Sequence, residues 1–407
     1  MRVNLLQFLF SGACLYRWND KLRPAELSEI EKQAHKMLVA CSIAHENTKR
    51  LSAEEKAKFI NTLISGALAD YFYRLIITDI KPPVFYRIKE NPRHFHKLTA
   101  YVISQLQPIL SPLQAFWDFA QNWYNETGYE EERAILNVSH LFASRWEFNL
   151  IRPFNDFDEE MTSIAASFEE GLNKYKYLAG VNELLDEKAP LARFANLCGQ
   201  LRFQIRWTQI PRIPSTSVLG HTFIVGVCAY LYSQKLGFNL ERSSNNFFSG
   251  LFHDFPEVLT RDIISPVKRS YEELADLIRE YETQELERRV LNPLRNGGME
   301  ELAGRLEWYL GLPFKNEFSQ GCKVNGQILQ FKNFEELNEY DMPGTDARDG
   351  KLRKICDLLG AYQEAHNSLR NGISSSALIE GRSRIKAELK KLAPPELNLQ
   401  ALLADFE

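Results

Sequence analysis

A chain of 407 residues with 44% hydrophobic and 25% charged residues is long enough for two domains of ordinary size, each with its own buried core. The formal net charge of −4 argues against a nucleic-acid polymer as partner, which calls for a basic surface stripe. The six cysteines, at 14, 41, 198, 228, 322 and 356, form no CxxC pair and lie mostly in apolar runs, a usage that fits buried thiols and a reducing cytoplasm.

In chain order, MRVNLLQFLFSGACLYRW has an apolar stretch too short for a membrane span. It is interrupted by Gln7 and has no convincing cleavage box, so it reads as a first helix rather than a signal peptide. AHKMLVACSIAH, LISGALADYFYRLIITDIKPPV and NVSHLFASRW follow as further helical stretches. His94 and His96 would diverge on a helix and would be surface residues on a loop after Pro92, so they make a poor metal pair. A Gly and a Pro between periodic segments near 177–191 mark a short joint, which divides the chain into domains 1–185 and 186–407.

In the second half, QIRWTQIPRIP leads to His221 and the apolar run FIVGVCAYLYSQKLG, a buried helix. Next comes FFSGLFHDFPEVLTRDIISPVK, containing the doublet His253-Asp254. Adjacent residues on a helix lie about 100° apart, so the doublet can serve one ion only if that ion sits against the helix shoulder, and Glu257 returns to the same side by the i, i+3 rule. ELADLIREYETQELERR and RSRIKAELKKL read as solvated helix faces. An extra stretch at about 311–349 holds CKVNGQILQF, whose apolar residues around Asn-Gly predict a β-hairpin, an insert that could lid a site. Asp357 opens LLGAY, a further buried helix, where a lone carboxylate would be costly unless paired or bound to metal. The pattern predicts an almost wholly helical, all-α architecture. Two imidazoles and two carboxylates from three segments could hold one divalent ion and leave positions open, with Mn, Fe, Co, Ni, Zn or Mg as candidates. No GxSxG, Walker loop or dinucleotide fingerprint occurs, which leaves serine-hydrolase, P-loop and Rossmann readings without support.

The pattern His…His-Asp…Asp resembles that of HD-domain metal-dependent phosphohydrolases. HDFPEVLTRDIISPVK, Arg206-Trp207 and KICDLLGAYQEAH are similar to the corresponding words of the bacterial HD-domain 5′-deoxynucleotidases, which hydrolyse deoxyribonucleoside 5′-monophosphates. The resemblance covers about 191–376. It implies His221, His253, Asp254 and Asp357 as metal ligands and Glu257 as the catalytic carboxylate. Arg206 is implied to orient the phosphate, Trp207 to pack by the sugar, and Asp262, Ile263, Ile264 and Ser265 to line the nucleotide pocket, with Lys268 as a phosphate neighbour. The implied partner is a nucleotide, with no membrane and with homo-oligomerisation left open. Other HD-domain nucleotide phosphohydrolase or phosphodiesterase reactions, or nucleotide sensing by a regulatory protein, are the alternatives.

The first half repeats the words of the second. LISGALADYFYRLIITDIKPPV lies against FFSGLFHDFPEVLTRDIISPV, LYRWNDKLRP against QIRWTQIPRIP, and AHKMLVACSIAH against GHTFIVGVCAYL, as in a tandem duplication. In that alignment His35 matches His221, Asp70 matches Asp254 and His140 matches Asp357. Ala69 and Tyr73 replace His253 and Glu257, so the first copy is expected to be non-catalytic, with at most a weak metal site.

Overall fold

The computed structural model describes residues 1–125, 128–261, 263, 272–314, 316 and 318–406, and helices dominate among them. The first half carries α1 (Val3–Ser11), α2 (Glu29–Asn47), α3 (Ala53–Ile77), α4 (Pro82–Glu90), α5 (Pro92–Leu110), α6 (Gln114–Asn125), α7 (Glu130–Ile151), α8 (Glu160–Asn173) and α9 (Val181–Leu185). The second carries α10 (Pro190–Gln200), α11 (Val218–Leu236), α12 (Leu240–Phe252), α13 (Glu257–Thr260), α14 (Glu272–Leu286) and α15 (Asn292–Asn296). It continues with α16 (Glu300–Leu310), α17 (Phe334–Asn338), α18 (Gly350–Arg370), α19 (Ser376–Leu392) and α20 (Leu399–Asp405). The all-α expectation holds, with one small sheet. No described helix is long and apolar enough to cross a membrane.

Local sequence sets where the central helices begin. Ser28 and Glu31 form a capping box at α2, and Ser52 and Glu55 another at α3. Ser217 Oγ accepts the Gly220 N–H at 3.1 Å to start α11, and Asn239 accepts the Arg242 N–H at 2.9 Å to start α12. Each cap satisfies an N–H that the first turn leaves without a helical partner. Helices α11 and α12 then cross almost backbone to backbone. A methyl group at Gly250 would come within 2.7 Å of Gly226 Cα, so this approach requires glycine at the crossing.

The halves share one hydrophobic core running from Leu5 to Phe406. Helix α2 lies against α11 and α3 against α12. Polar links cross the same seam: Asn61 Nδ2 donates to Ser244 Oγ at 2.6 Å, and the Tyr230 hydroxyl donates to Asn61 Oδ1 at 2.9 Å.

The hairpin predicted around Asn-Gly is present. Strands β1 (Gln320–Val324) and β2 (Gln327–Phe331) pair antiparallel. They are joined by Asn325 and Gly326, whose φ angles of 50° and 81° suit a two-residue turn of the primed type. A third strand, β3 (Asp346–Asp349), adds to the other side of β1; its DARD sequence has no apolar alternation to announce it. Arg242 Nε donates to Asp349 at 2.8 Å and Asn245 to the Ala347 carbonyl at 2.8 Å, which fastens the sheet to the first turns of α12. The His-Asp doublet lies beyond the opposite end, about 20 Å along a helix of this length. The sheet splints the start of α18, where the ring of Phe318 of the insert lies 4.7 Å from the Lys354 ammonium that contacts Asp357.

Candidate metal centre

His221 lies in the first turn of α11 and is fully buried. It fits there because α18 carries Gly360 opposite; a methyl group at that position would stand 3.1 Å from His221 Cε1. The doublet is not inside a helix. Helix α12 ends at Phe252, His253–Pro256 form a turn, and α13 begins at Glu257. Pro256 cannot supply the N–H that continuation of α12 would need. His253 keeps helical angles, φ −56° and ψ −38°, and the Asp254 carboxylate nonetheless reaches its imidazole at 3.1 Å.

The ligand atoms of His221, His253 and Asp254 lie within 4.8 Å of one another, and theirs is the one such group among the described residues. Asp357, from the second turn of α18, joins through His221, its Oδ1 lying 3.1 Å from Nε2. The His253 Nδ1–H donates to the Gly250 carbonyl at 2.7 Å. A carbonyl only accepts, so in the neutral ring Nε2 carries the lone pair. Nε2 faces Asp254 Oδ2 at 3.1 Å, a contact that either a proton on Nε2 or a cation shared with the carboxylate would satisfy.

Glu364, two turns along α18 from Asp357 and fully buried, was missed by sequence reasoning. Its Oε1 lies 3.3 Å from His221 Nδ1 and accepts the Thr216 hydroxyl at 2.8 Å, while Oε2 accepts the Trp207 indole N–H at 2.9 Å. A carboxylate behind an imidazole fixes the ring and directs its other nitrogen forward. Burial and Arg206 pull the His221 pKa down, but the carboxylates Glu364 and Asp357 outweigh them and hold it above the usual value. Burial opposes ionisation of Asp254, Asp357 and Glu364, yet facing histidines and arginines keep all three well below the ordinary carboxylate range.

Arg206 is central to this field, with Glu364, Asp254, Asp357 and Glu257 all acting on its guanidinium. Its contacts to Asp254 and Glu364 are long, 3.4 Å each. Against these carboxylates stand two largely buried guanidinium groups, Arg206 and Arg212, with the more exposed Lys354 3.5 Å from Asp357. The convergence of two imidazole and one carboxylate ligand atoms within 4.8 Å, with Asp357 beside them, fits a divalent cation. Mixed imidazole and carboxylate donors suit a first-row transition metal.

Glu257 is buried at the start of α13, with its carbonyl accepting Gln204 Nε2 at 2.9 Å. Trp207 is committed to Glu364 through its N–H and to Gly381 of α19, where an added methyl would meet its ring at 3.4 Å. Ile263 is half-buried. Asp262, Ile264, Ser265 and Lys268 lie outside the described residues.

The local arrangement around Arg206-Trp207 recurs at Arg17-Trp18. Isolated bridges Tyr16–Ser28 and Ile205–Ser217 precede helices of 19 residues each, α2 and α11. Trp18 and Trp207 have φ of 57° and 58°, and Trp18 donates to Glu147 at 3.0 Å as Trp207 does to Glu364. Counting from these shared points puts Lys32, not His35, at the place of His221. His35 instead bonds the Ala195 carbonyl at 2.9 Å and packs edge-on against Trp146 and Phe142. Lys32 contacts Glu29 at 3.3 Å, and Asp70 accepts from Trp123 at 2.9 Å. Tyr73, where Glu257 was aligned, meets Thr99 at 3.3 Å. The weak site of His35, Asp70 and His140 is not assembled: among the described residues no ligand group forms there.

Residues 198–384 match the family model of the HD domain, a span that holds the whole acid–histidine cluster together with Arg206, Trp207, Glu257 and Glu364. No curated protein matches the chain.

Proposed function

We propose, from an HD domain over residues 198–384, that the second half is a metal-dependent phosphohydrolase removing phosphate from nucleoside 5′-monophosphates, deoxy ones by preference. The observation that carries this reading is the buried His253 nitrogen facing the Asp254 carboxylate at 3.1 Å, with His221 and Asp357 beside them. A divalent ion held by those four residues would supply Lewis acidity toward a phosphoryl oxygen and toward water.

The remaining chemistry belongs to the chain. Arg206, long-bonded to both of its carboxylates, can turn its planar fork to two phosphate oxygens and offset charge on them. Glu257 would hold or move a proton, at the attacking water or at the leaving 5′-oxygen. Trp207 and Thr216 hold Glu364, which in turn holds the His221 ring. The positioning role of Trp207 stands beside the sugar contact that the resemblance implies.

The first half is read as a worn copy of the same unit. There the Arg17 guanidinium is closely held by Glu147 at 2.8 Å, Glu29 at 2.9 Å and Ser144 at 3.3 Å, which leaves it poorly placed to receive a phosphate. Lys32, whose pKa burial pulls down to about 7, stands where the second half has His221. Turnover is accordingly assigned to the second half alone.

The test is phosphate release by metal-loaded protein across matched substrates. Deoxyribonucleoside 5′-monophosphates should give higher kcat/KM than ribonucleotides, and 3′-monophosphates should be nearly inert. A preference for triphosphates or cyclic nucleotides would overturn the substrate assignment.

A further inference from the structure

Beside the acid–histidine cluster lies a cleft of about 720 Å³ between α7 of the first half and the segments flanking the candidate centre. Its wall residues include Trp146, Phe203, Gln204, Ile205, Val258 and Arg261. Ile205 is in extended backbone, bridged to Ser217, and successive extended residues point to opposite faces. Arg206 faces the cluster, so Ile205 faces away from it and into the cleft.

The lining has a definite chemistry. Phe203 and Ile205 are 47% and 41% exposed, an unusual amount of apolar surface to leave on a concave wall. The Trp146 and Phe203 rings lie 5.9 Å apart at an interplanar angle of 33°. Trp146 is fixed by its neighbours: a methyl group at Gly199 would come within 2.7 Å of the indole, and the Arg202 guanidinium stands 4.7 Å from the ring centre. Gln200 and Arg261, both exposed, add an amide and a guanidinium to the lining. Rigid aromatic walls with amide and guanidinium groups suit a flat ring that carries hydrogen-bonding edges, and the volume is that of a small-molecule site.

The cleft is also joined to the candidate centre. Gln204 donates to the Glu257 carbonyl at 2.9 Å, Ile205 directly precedes Arg206, and Val258 directly follows Glu257. An occupant would touch three residues attached to the proposed proton carrier and phosphate fork.

We propose that this cleft binds a planar heteroaromatic ring of the nucleobase type, with Trp146 of the first half as its stacking platform. The first half would then contribute recognition to a site whose chemistry lies in the second. The binding claim stands without the phosphohydrolase reading; only the coupling to rate rests on it.

The experiment uses the full chain, metal-free, titrated calorimetrically with 2′-deoxynucleosides and separately with 2-deoxyribose. The nucleosides should bind and the sugar should not. Trp146→Ala should weaken nucleoside binding about tenfold or more, on the scale of a lost base stack, while Trp146→Phe retains most of it. Phe203→Ala, at a half-exposed position, gives a second variant should Trp146→Ala fail to fold, and should weaken binding in the same sense. No nucleoside binding, or equal binding by the starting protein and both alanine variants, would overturn the proposal. A second arm adds nucleoside to the metal-loaded protein turning over 2-deoxyribose 5-phosphate. Competitive inhibition would identify the ring as the substrate's own base, and a changed kcat without competition would identify a separate ligand. Binding with no effect on rate would overturn the coupling. Absence of turnover alongside intact binding would count against the phosphohydrolase reading alone.

Discussion

At the scale of residues, the most informative atom is His253 Nε2, because its other nitrogen is spent on a carbonyl and it has only a carboxylate to face. His221, His253, Asp254 and Asp357 were legible in the sequence as an imidazole and carboxylate set. Glu364 was not, since a glutamate in a helix ordinarily reads as solvated surface. A signal was nonetheless present: Glu147 follows His140 by the same number of residues as Glu364 follows Asp357. Glu364→Gln should weaken metal affinity about 10- to 100-fold, the usual cost of losing the partner behind a ligating imidazole, with the helical circular dichroism signal unchanged. Unchanged affinity would remove Glu364 from the positioning role. His35 gives a different prediction. Burial first, then Arg202, push its pKa down from 6.5 to about 3, so the fold disfavours its charged form. The stability this contributes is fully present above the unfolded-state value and is lost as pH falls from about 6.5 toward 3. Denaturant unfolding between pH 7 and 5, above the titration of most carboxylates, should show stability falling with acid. His35→Gln should flatten that slope by at most about 1.4 kcal/mol per pH unit, and an unaltered slope would contradict the assignment.

At the scale of elements, helices were readable because their apolar residues recur at helical spacing and their starts carry Ser or Asn caps. The hairpin was readable because Asn-Gly meets the demand of its turn for two positive φ values. Strand β3 and the end of α12 before the doublet were not. One depends on pairing with a distant strand, the other on a proline whose effect falls on the three residues before it. The alignment of His35 with His221 followed the Ala-His and Gly-His words, whereas the bridges at Ser28 and Ser217 set Lys32 against His221. The crossing of α11 and α12 makes a direct prediction. In Gly250→Ala the new methyl would stand 2.7 Å from Gly226 Cα and 2.8 Å from its nitrogen, backbone atoms that move only with their helices. Overpacking of this kind costs about 1–3 kcal/mol, measurable as a lower denaturant midpoint. It should also lower metal affinity, because Gly250 supplies the carbonyl that orients His253. A midpoint unchanged from the starting protein would mean that the crossing is not as tight as described.

At the scale of the whole molecule, the two halves are continuous through α2 against α11 and α3 against α12, and the first half brings Trp146 to a cleft beside the second half's candidate centre. The repeated words were legible in sequence; the seam between them was not, because nothing in an apolar helix face says which partner will cover it. The central claim is that His221, His253, Asp254 and Asp357 hold one divalent ion on which phosphate release depends. The most direct test measures metal content and phosphate release together, in the starting protein and in His253→Ala and Glu257→Ala. The expected result is one ion per chain, lost with all activity in His253→Ala but retained in Glu257→Ala, whose turnover falls by about 100-fold or more. Metal content and phosphate release both unchanged in His253→Ala would contradict the account.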